Sequence, residues 1–175
     1  MMKRIVAYMV VALSLCGAMC SSCGKSDEYL VQQEEKIVSY LDSQKLEYTI
    51  EGGTYKVVLA EGDQSLRASR GDSLTFNYAG FLFEGTPKGL FATSWDYLLD
   101  DQGLNTEYWS FEPARVKLGS SAIIKGIENA LTNCCEGDSL QLFMTSDLGY
   151  GEEEVGSVSK NSALMFLVKV EKIDK

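Results

Sequence analysis

The sequence predicts an α+β fold in which an antiparallel sheet curls around one short helix, with a second helix before the sheet. Three observations predict it. Three segments carry apolar residues with a period of two, which is typical of strands that bury one face. One short segment between these strands has apolar residues at helical spacing, and so does a longer segment near the N-terminus. An antiparallel sheet combined with separate helices is an α+β arrangement.

The first element is an amphipathic helix predicted from Asp27 to Gln44. Acidic residues come early in it and Lys45 lies near its end, as the helix dipole favours. Its apolar face either packs on its own domain, which we favour, or pairs with a second copy of the chain. The apolar positions at helical spacing are Leu30, Ile37, Val38 and Leu41.

The next segments predict the start of the sheet. Gly52-Gly53 separates the strand-like runs Glu47–Ile50 and Tyr55–Leu59. Two glycines between such runs are typical of a hairpin turn.

Three later strands and a short helix complete the predicted elements. The helix runs from Ala122 to Asn133, and the spacing of its isoleucines and Leu131 indicates that it lies against the sheet. The apolar faces of the strands are Leu74, Phe76 and Tyr78, then Leu140, Leu142 and Met144, then Leu164, Phe166, Val168 and Val170.

The composition excludes several classes of function. The chain of 175 residues, with two prolines and no visible linker, suits one domain with a short extension. A formal net charge of −9 would repel a phosphate backbone, so we expect no nucleic-acid partner. The absence of histidine removes Ser-His-Asp and Cys-His nucleophile systems and most zinc sites. We therefore expect no metal, no cofactor and no histidine base.

The N-terminus predicts a signal peptide. Lys3 and Arg4 form its positive start, and Ile5–Leu15 is an apolar stretch too short to span a bilayer comfortably. Ser21-Ser22 precede Cys23, which resembles the lipobox of bacterial lipoproteins. This resemblance implies cleavage after residue 22 and a lipid on Cys23. Cleavage would remove two basic residues and no acidic one, which takes the net charge from −9 to −11.

Two other cysteines precede Cys23. Cys16 and Cys20 follow Leu15 and Met19, which are bulky where a signal peptidase requires a small side chain. Cys23 is therefore the preferred site of lipidation. Two alternatives stay open for this segment: an uncleaved N-terminal membrane helix, and secretion after a cut further upstream.

Several short blocks further along the chain occur in one order with nearly fixed spacing. From Leu118 to Ile173 they need no gap, and together they are far more specific than any one of them. The blocks are Gly71-Asp72 with Leu74–Gly80, Phe91–Ser94, Leu118-Gly119 with Ile123–Ile127, Glu136–Asp138, Asp147–Gly151 and Ala163–Phe166. The stretch Gly71–Ile173 resembles an FKBP-type peptidyl-prolyl cis/trans isomerase domain, which implies a curved antiparallel sheet wrapped around a short helix.

The resemblance also implies a pocket for the proline of a peptide. Its catalytic residues would be Tyr150, whose hydroxyl donates to a substrate carbonyl, Ile124, whose backbone N–H donates to another, and Phe91, which holds the prolyl ring. The implied substrate-binding residues are Tyr78, Ile123, Ile127, Val158 and Phe166.

Such a pocket needs no proton transfer. Rotation about an X-Pro bond has a barrier of about 18–20 kcal/mol, because the planar amide has double-bond character. An apolar pocket disfavours the charge-separated planar amide relative to the twisted one, and a donor aimed at the carbonyl holds the twisted geometry. A chain without histidine is therefore compatible with this reaction.

Several positions depart from the family's pattern. Ala92 stands where an aspartate is usual, and Ile127 where a tryptophan is usual. Ala114 and Val116 stand where aromatic residues are common. Further departures are Ser157, Ser159 and Lys160 in the final loop, and an insertion at residues 95–112 that carries Trp95, Tyr97, Tyr108 and Trp109. The substitutions at Ala92, Ala114, Val116 and Ile127 motivate an alternative function as a binding module.

The features together predict an isomerase of X-Pro bonds in exported proteins, anchored by lipid in the bacterial cell envelope on the periplasmic or outer-membrane side. Its partners would be proline-containing polypeptides and the membrane. The alternatives are a lipid-anchored binding module or chaperone with little or no turnover, and a surface scaffold with a vestigial pocket. The predicted domains are a signal peptide at 1–22, an anchor with the helix and lead-in strand at 23–54, and an FKBP-like domain at 55–175.

Two further features have competing interpretations. Cys134-Cys135 would form either a vicinal disulfide or, as we favour, one buried and one surface thiol, because neighbouring side chains on a helix diverge by about 100°. Glu152–Glu154 would form either a calcium site or, as we favour, a solvated loop, because it lacks the spacing of a calcium-binding loop.

Overall fold

The computed structural model describes residues 23–99 and 111–175, with side chains from residue 28 onward. Residues 1–22, where a signal peptide is predicted, the Cys23 side chain and residues 100–110, including Tyr108 and Trp109, lie outside the described residues. No helix in the described ranges is long and apolar enough to cross a membrane. The compact unit considered below runs from Gln33 to Lys175.

The described elements follow the order expected from the sequence. The helices are α1, Cys23–Ser43, and α2, Lys125–Leu131. Short 3₁₀ turns lie at Asp96–Leu99 and Ser146–Leu148. The strands are β1 Thr49–Glu51, β2 Thr54–Ala60, β3 Asp63–Arg67, β4 Ser73–Phe83, β5 Pro87–Thr93, β6 Ala114–Lys117, β7 Cys135–Glu136, β8 Ser139–Met144 and β9 Leu164–Asp174.

Strands β4 and β9 form the long central pair of an antiparallel sheet. Their register runs from Ser73 opposite Asp174 to Leu82 opposite Leu164. Beyond β9 lie β8, β2 and β1 in that order, and β5 and β6 lie beyond β4, so these strands form a seven-stranded sheet. The predicted hairpin and all three period-two strands belong to it.

The turn between β1 and β2 has the conformation that its glycines predict. Gly52 and Gly53 have φ angles of 55° and 88°, and tight hairpin turns of type I′ require positive φ at both central positions. The side-chain amide of Asn129, on α2, donates to the Gly52 carbonyl at 2.8 Å. The hairpin therefore also helps to hold α2.

The far edge of β4 is shared by two strands. β6 pairs with Ser73–Phe76 and β5 pairs with Ala79–Phe83. Between them, Ser94 takes the place of a strand partner. Its backbone N–H donates to the Tyr78 carbonyl at 2.9 Å, and its hydroxyl accepts from the Tyr78 N–H at 2.9 Å. The backbone of Tyr78 is therefore fixed where one partner strand ends and the other begins.

The two faces of the sheet bury separate hydrophobic clusters, because side chains alternate along each strand. On β9, Leu164 and Phe166 belong to the main cluster and Met165 belongs to the second. Helix α2 packs into the main cluster through Ile127, Ala130 and Leu131, and α1 packs into the second through Ile37 and Leu41. The predicted α+β fold and the packing of the N-terminal helix on its own domain are both confirmed.

Helix α2 is shorter than the sequence predicts. The prediction runs from Ala122 to Asn133, whereas the helix begins at Lys125. Ser121 has a φ of 57° and Ile124 is extended with a ψ of 145°, so the chain turns before the helix starts. Asn133 has a φ of 67°, beyond the helix end at Leu131. The isoleucines before Lys125 therefore lie in a loop.

The adjacent cysteines are both buried and both free, so the expectation of one surface thiol is wrong. Cys135 lies in β7, where it pairs with Arg67 of β3 in a second, two-stranded sheet. Its N–H donates to the carboxylate of Asp138 at 2.7 Å. Burial, and then the charge of Asp138, raise the pKa of Cys134 to about 12. Neither thiol has the exposure that a reactive cysteine needs.

Candidate active site

A cavity of about 560 Å³ lies where residues of β4, the loop before α2 and the loop after β8 come together. This volume is typical of sites that hold small organic groups. Most residues of its wall are apolar or aromatic. The predicted site residues that line it are Tyr78, Ile123, Ile124, Ile127, Tyr150 and Phe166.

Phe91 supports the cavity from β5. Its ring lies edge-on to that of Phe166, with centroids 5.6 Å apart and an interplanar angle of 89°. It also lies edge-on to the ring of Tyr150, at 6.3 Å and 73°. Edge-to-face contacts of this kind are favourable and orient the rings. Phe91 is not among the described lining residues, so it shapes the cavity through the two rings that it holds.

Among the donors of the lining residues, the hydroxyl of Tyr150 and the backbone N–H of Ile124 have no acceptor among the described residues. Burial, and then the nearby Tyr78, raise the pKa of the Tyr150 phenol above its usual value, so the hydroxyl keeps its proton at neutral pH. A donor left unpaired in an apolar site costs free energy until an acceptor arrives. Both groups are therefore available to a carbonyl oxygen of a ligand.

The loop that carries Tyr150 is shaped by short-range backbone hydrogen bonds. The Ser146 carbonyl accepts from the N–H of Gly149 at 3.0 Å and from the N–H of Gly151 at 2.7 Å. The Tyr150 carbonyl accepts from the N–H of Glu153 at 3.1 Å. These bonds hold the backbone on both sides of the tyrosine.

Ile127 forms the floor of the cavity and is 6% exposed. It projects from the first turn of α2, which is tied to β2 by polar side chains. The hydroxyl of Thr54 donates to the Gly126 carbonyl at 3.0 Å, and the Lys56 ammonium donates to the Ala130 carbonyl at 3.4 Å. The position of the floor therefore depends on the helix docking against the sheet.

Three of the departures from the family's pattern, Ala92, Ala114 and Ile127, lie on the described cavity wall. Ala92 and Ala114 line it, whereas Val116 packs against the main cluster. The methyl side chains of the two alanines leave space that an aspartate or an aromatic ring would fill. The insertion is described only in part, where Trp95 and Tyr97 lie with ring centroids 6.2 Å apart.

Val158 lies behind the cavity wall. It is 2% exposed, belongs to the main cluster, and is absent from the described lining residues. Its backbone exchanges two hydrogen bonds with Val155, at 2.9 and 3.0 Å. The predicted substrate contact at Val158 finds no support in this position, because the side chain is not part of the described cavity wall.

Five lining residues were not singled out from the sequence. Phe76 lies two positions before Tyr78 on the same face of β4, so the period-two pattern was a signal for it. Glu153 brings a carboxylate to an otherwise uncharged wall of described residues, and no sequence pattern distinguished it from its acidic neighbours. The full set is Phe76, Ser121, Ala122, Gly149 and Glu153.

The family model that matches this chain is that of the FKBP-type peptidyl-prolyl cis-trans isomerases, over residues 64–171. The matched region contains β4 to β8, α2, most of β9 and the whole described wall of the cavity. It covers more than half of the chain.

Curated proteins of several eukaryotes are similar to the same region. FK506-binding protein 2 of Aspergillus fumigatus is 25% identical over 111 residues, which cover 62% of this chain and 72% of that protein. FK506-binding protein 1 of Aspergillus oryzae is 26% identical over 124 residues, 70% of this chain and 99% of that protein. Peptidyl-prolyl cis-trans isomerase FKBP2 of Homo sapiens is 29% identical over 111 residues, 63% of this chain and 67% of that protein. With its fold, its cavity and the family match in agreement, the chain belongs to the FKBP-type peptidyl-prolyl cis-trans isomerases.

Proposed function

We propose that the protein catalyses cis/trans isomerisation of X-Pro bonds in exported proteins, while a lipid on Cys23 tethers it to the bacterial cell envelope. The observation that supports the site best is the pair of unpaired donors on one apolar cavity, the Tyr150 hydroxyl and the Ile124 N–H. They match a reaction in which a carbonyl must be held while the adjacent amide twists.

The substrate would bind with its prolyl ring on apolar surface and its carbonyls on the two donors. Phe166 and Ile127 offer that apolar surface, and Phe91 fixes the orientation of the Phe166 ring. Removing the amide from water disfavours its charge-separated planar form relative to the twisted form. The rate gain then arises from interactions that are stronger in the twisted state.

The required acceleration is within reach of such a site. Uncatalysed isomerisation takes tens of seconds, so turnover in milliseconds needs about 10⁴-fold acceleration, or roughly 5–6 kcal/mol. Each hydrogen bond to a neutral carbonyl contributes about 0.5–1.5 kcal/mol. The two donors therefore supply part of the stabilisation in this proposal, and the apolar part of the wall supplies the rest.

The small residues in the wall act mainly on affinity in this proposal. Ala92 removes a charge that the family usually has near the twisting bond, and Ala114 widens the cavity. Ile127 in place of tryptophan gives a shallower but still apolar floor. None of these substitutions removes either donor, so we expect weaker binding of substrate rather than loss of the reaction.

Exchange spectroscopy on a short Leu-Pro peptide tests the isomerase activity. The full chain should accelerate cis/trans exchange, and Tyr150→Phe should lower kcat/KM about three- to tenfold because one donor is lost. Tyr48→Phe is a matched control, since Tyr48 packs in the second cluster on the other face of the sheet.

Two outcomes would count against the proposal. Peptide exchange no faster than in buffer would exclude the enzyme. Peptide resonances that shift without faster exchange would favour the binding module, in which the cavity holds proline-containing segments without turnover.

The anchor is tested separately by labelling the chain with palmitate in a bacterial host. Cys23→Ala should abolish the label, and Cys20→Ala should retain it. Unchanged labelling of Cys23→Ala would remove this residue from the proposal. Fractionation of inner and outer membranes would then assign the membrane side.

A further inference from the structure

The base of the Tyr150 loop is closed by a ring of four hydrogen bonds that includes a side chain of α1. The Gln33 Oε1 accepts from the Ser146 N–H at 2.8 Å, and the Ser146 carbonyl accepts from the Gly151 N–H at 2.7 Å. The Gly151 carbonyl accepts from the Asn161 N–H at 2.7 Å, and the Asn161 carbonyl accepts from Gln33 Nε2 at 2.7 Å. All four distances are those of well-formed hydrogen bonds. Tyr150 directly precedes a member of this ring.

A glutamine suits this position for a chemical reason. Its carboxamide carries an acceptor oxygen and a donor nitrogen side by side, so one side chain can bond to an N–H and to a carbonyl at once. Glutamate keeps the acceptor and lacks the donor, and alanine lacks both. The two bonds of Gln33 share one amide group, so each bond polarises that group in favour of the other.

Two hydroxyl groups of this loop make no hydrogen bond that would help to fix it. Ser146 is fully buried, yet its hydroxyl has no hydrogen-bond partner. The Tyr150 hydroxyl has no partner among the described residues either. The direction of that hydroxyl is therefore set by the loop backbone and by the contact between the aromatic rings of Tyr150 and Phe91. The ring of four hydrogen bonds holds this backbone.

We propose that Gln33 is a positioning residue for the isomerase reaction. It fixes the loop backbone from Ser146 to Gly151, so that the Tyr150 hydroxyl is already oriented toward the substrate carbonyl when the substrate binds. Gln33 is not among the described residues of the active cavity, so it acts through the loop. This inference rests on the proposed function.

The test compares Gln33→Ala with Gln32→Ala in the full-length chain. Gln32 is a neighbouring exposed glutamine and serves as the matched control. Gln33→Ala should speed hydrogen exchange of the Gly151 and Asn161 amides about tenfold or more, and should lower kcat/KM about three- to tenfold, mostly in kcat. Gln33→Glu should fall between Gln33→Ala and the wild type. Gln32→Ala should match the wild type in both measurements.

A double-mutant cycle separates positioning from plain stabilisation. In a Tyr150→Phe background, Gln33→Ala should have little further effect on kcat/KM, because the hydroxyl that it positions is already gone. An equal loss in both backgrounds, or unchanged amide exchange in an active protein, would overturn the inference while leaving the proposed function intact. A wild-type chain without isomerase activity would instead overturn the proposed function, and the positioning role with it.

Discussion

At the scale of single residues, the site depends on the positions of two hydrogen-bond donors. Neither donor has to change its protonation state. The Ile124 N–H does not titrate. Burial, and then Tyr78, raise the pKa of the Tyr150 hydroxyl, which favours the neutral form that can donate. A chain without histidine can therefore hold a carbonyl across the physiological pH range.

This predicts a flat pH profile. The value of kcat/KM should be constant between about pH 6 and 9, because the Tyr150 phenol ordinarily titrates near 10 and its pKa is raised further here. Activity should fall only as the pH rises through that raised pKa. Exchange rates measured across this range provide the check, and a step near pH 6 to 7 would point to another titrating group.

At the scale of elements, strand β4 carries much of the cavity and also limits its shape. Phe76 and Tyr78 line the cavity from this strand. Two positions further on, a Cβ added at Gly80 would lie 2.7 Å from ring atoms of both Phe91 and Phe166. The strand thus needs a residue without a side chain where the two rings pack over it.

Gly80→Ala is therefore expected to displace the aromatic pair. It should lower the free energy of unfolding by about 1–3 kcal/mol, as overpacking does, and should also lower kcat/KM. Denaturant unfolding and peptide exchange measure the two effects. Adding Phe91→Leu should recover part of the stability, because it removes ring atoms that meet the new methyl group. Purely additive losses in the double variant would contradict the assigned contact.

At the scale of the whole molecule, the sheet separates the site from most of the N-terminal packing. The main cluster, with α2 and the cavity, lies on one face, and the second cluster, with the buried part of α1, lies on the other. Gln33 is a link between the two sides, through its bonds to the Tyr150 loop. Packing on both faces of the sheet contributes to the free energy of unfolding, whereas the isomerase site lies on one face.

Neighbouring residues of β9 test this separation. Met165 and Phe166 are each 3% exposed but belong to different clusters. Met165→Ala should cost about 2–5 kcal/mol of unfolding free energy and leave kcat/KM within about twofold below the melting transition. Phe166→Ala should lower both quantities. Equal losses of activity in the two variants would show that the faces are not independent.

The fold and much of the cavity wall could be predicted from the amino-acid sequence. The strands β4, β8 and β9 were predictable because large apolar residues alternate along each of them. In an extended strand this alternation places all of these residues on one face, which can then be buried. The glycines of the β1–β2 turn, and Tyr150 in its ordered set of motifs, were equally visible. These features depend on residues close to one another along the chain.

Features that arise from contacts between distant segments became visible only in the folded chain. The helical spacing around Ile124 wrongly predicted a helix from Ala122. The chain turns at Ser121, and Ile123 and Ile124 lie in a loop on the cavity wall. Cys135 and Val158 are buried by segments that local patterns do not pair with them. The ring of hydrogen bonds at the Tyr150 loop joins Gln33 to Ser146 and Asn161, which lie 113 and 128 positions further along the chain. A polar residue on a solvated-looking helix face gives no sign of such a bond until the sheet brings the two segments together.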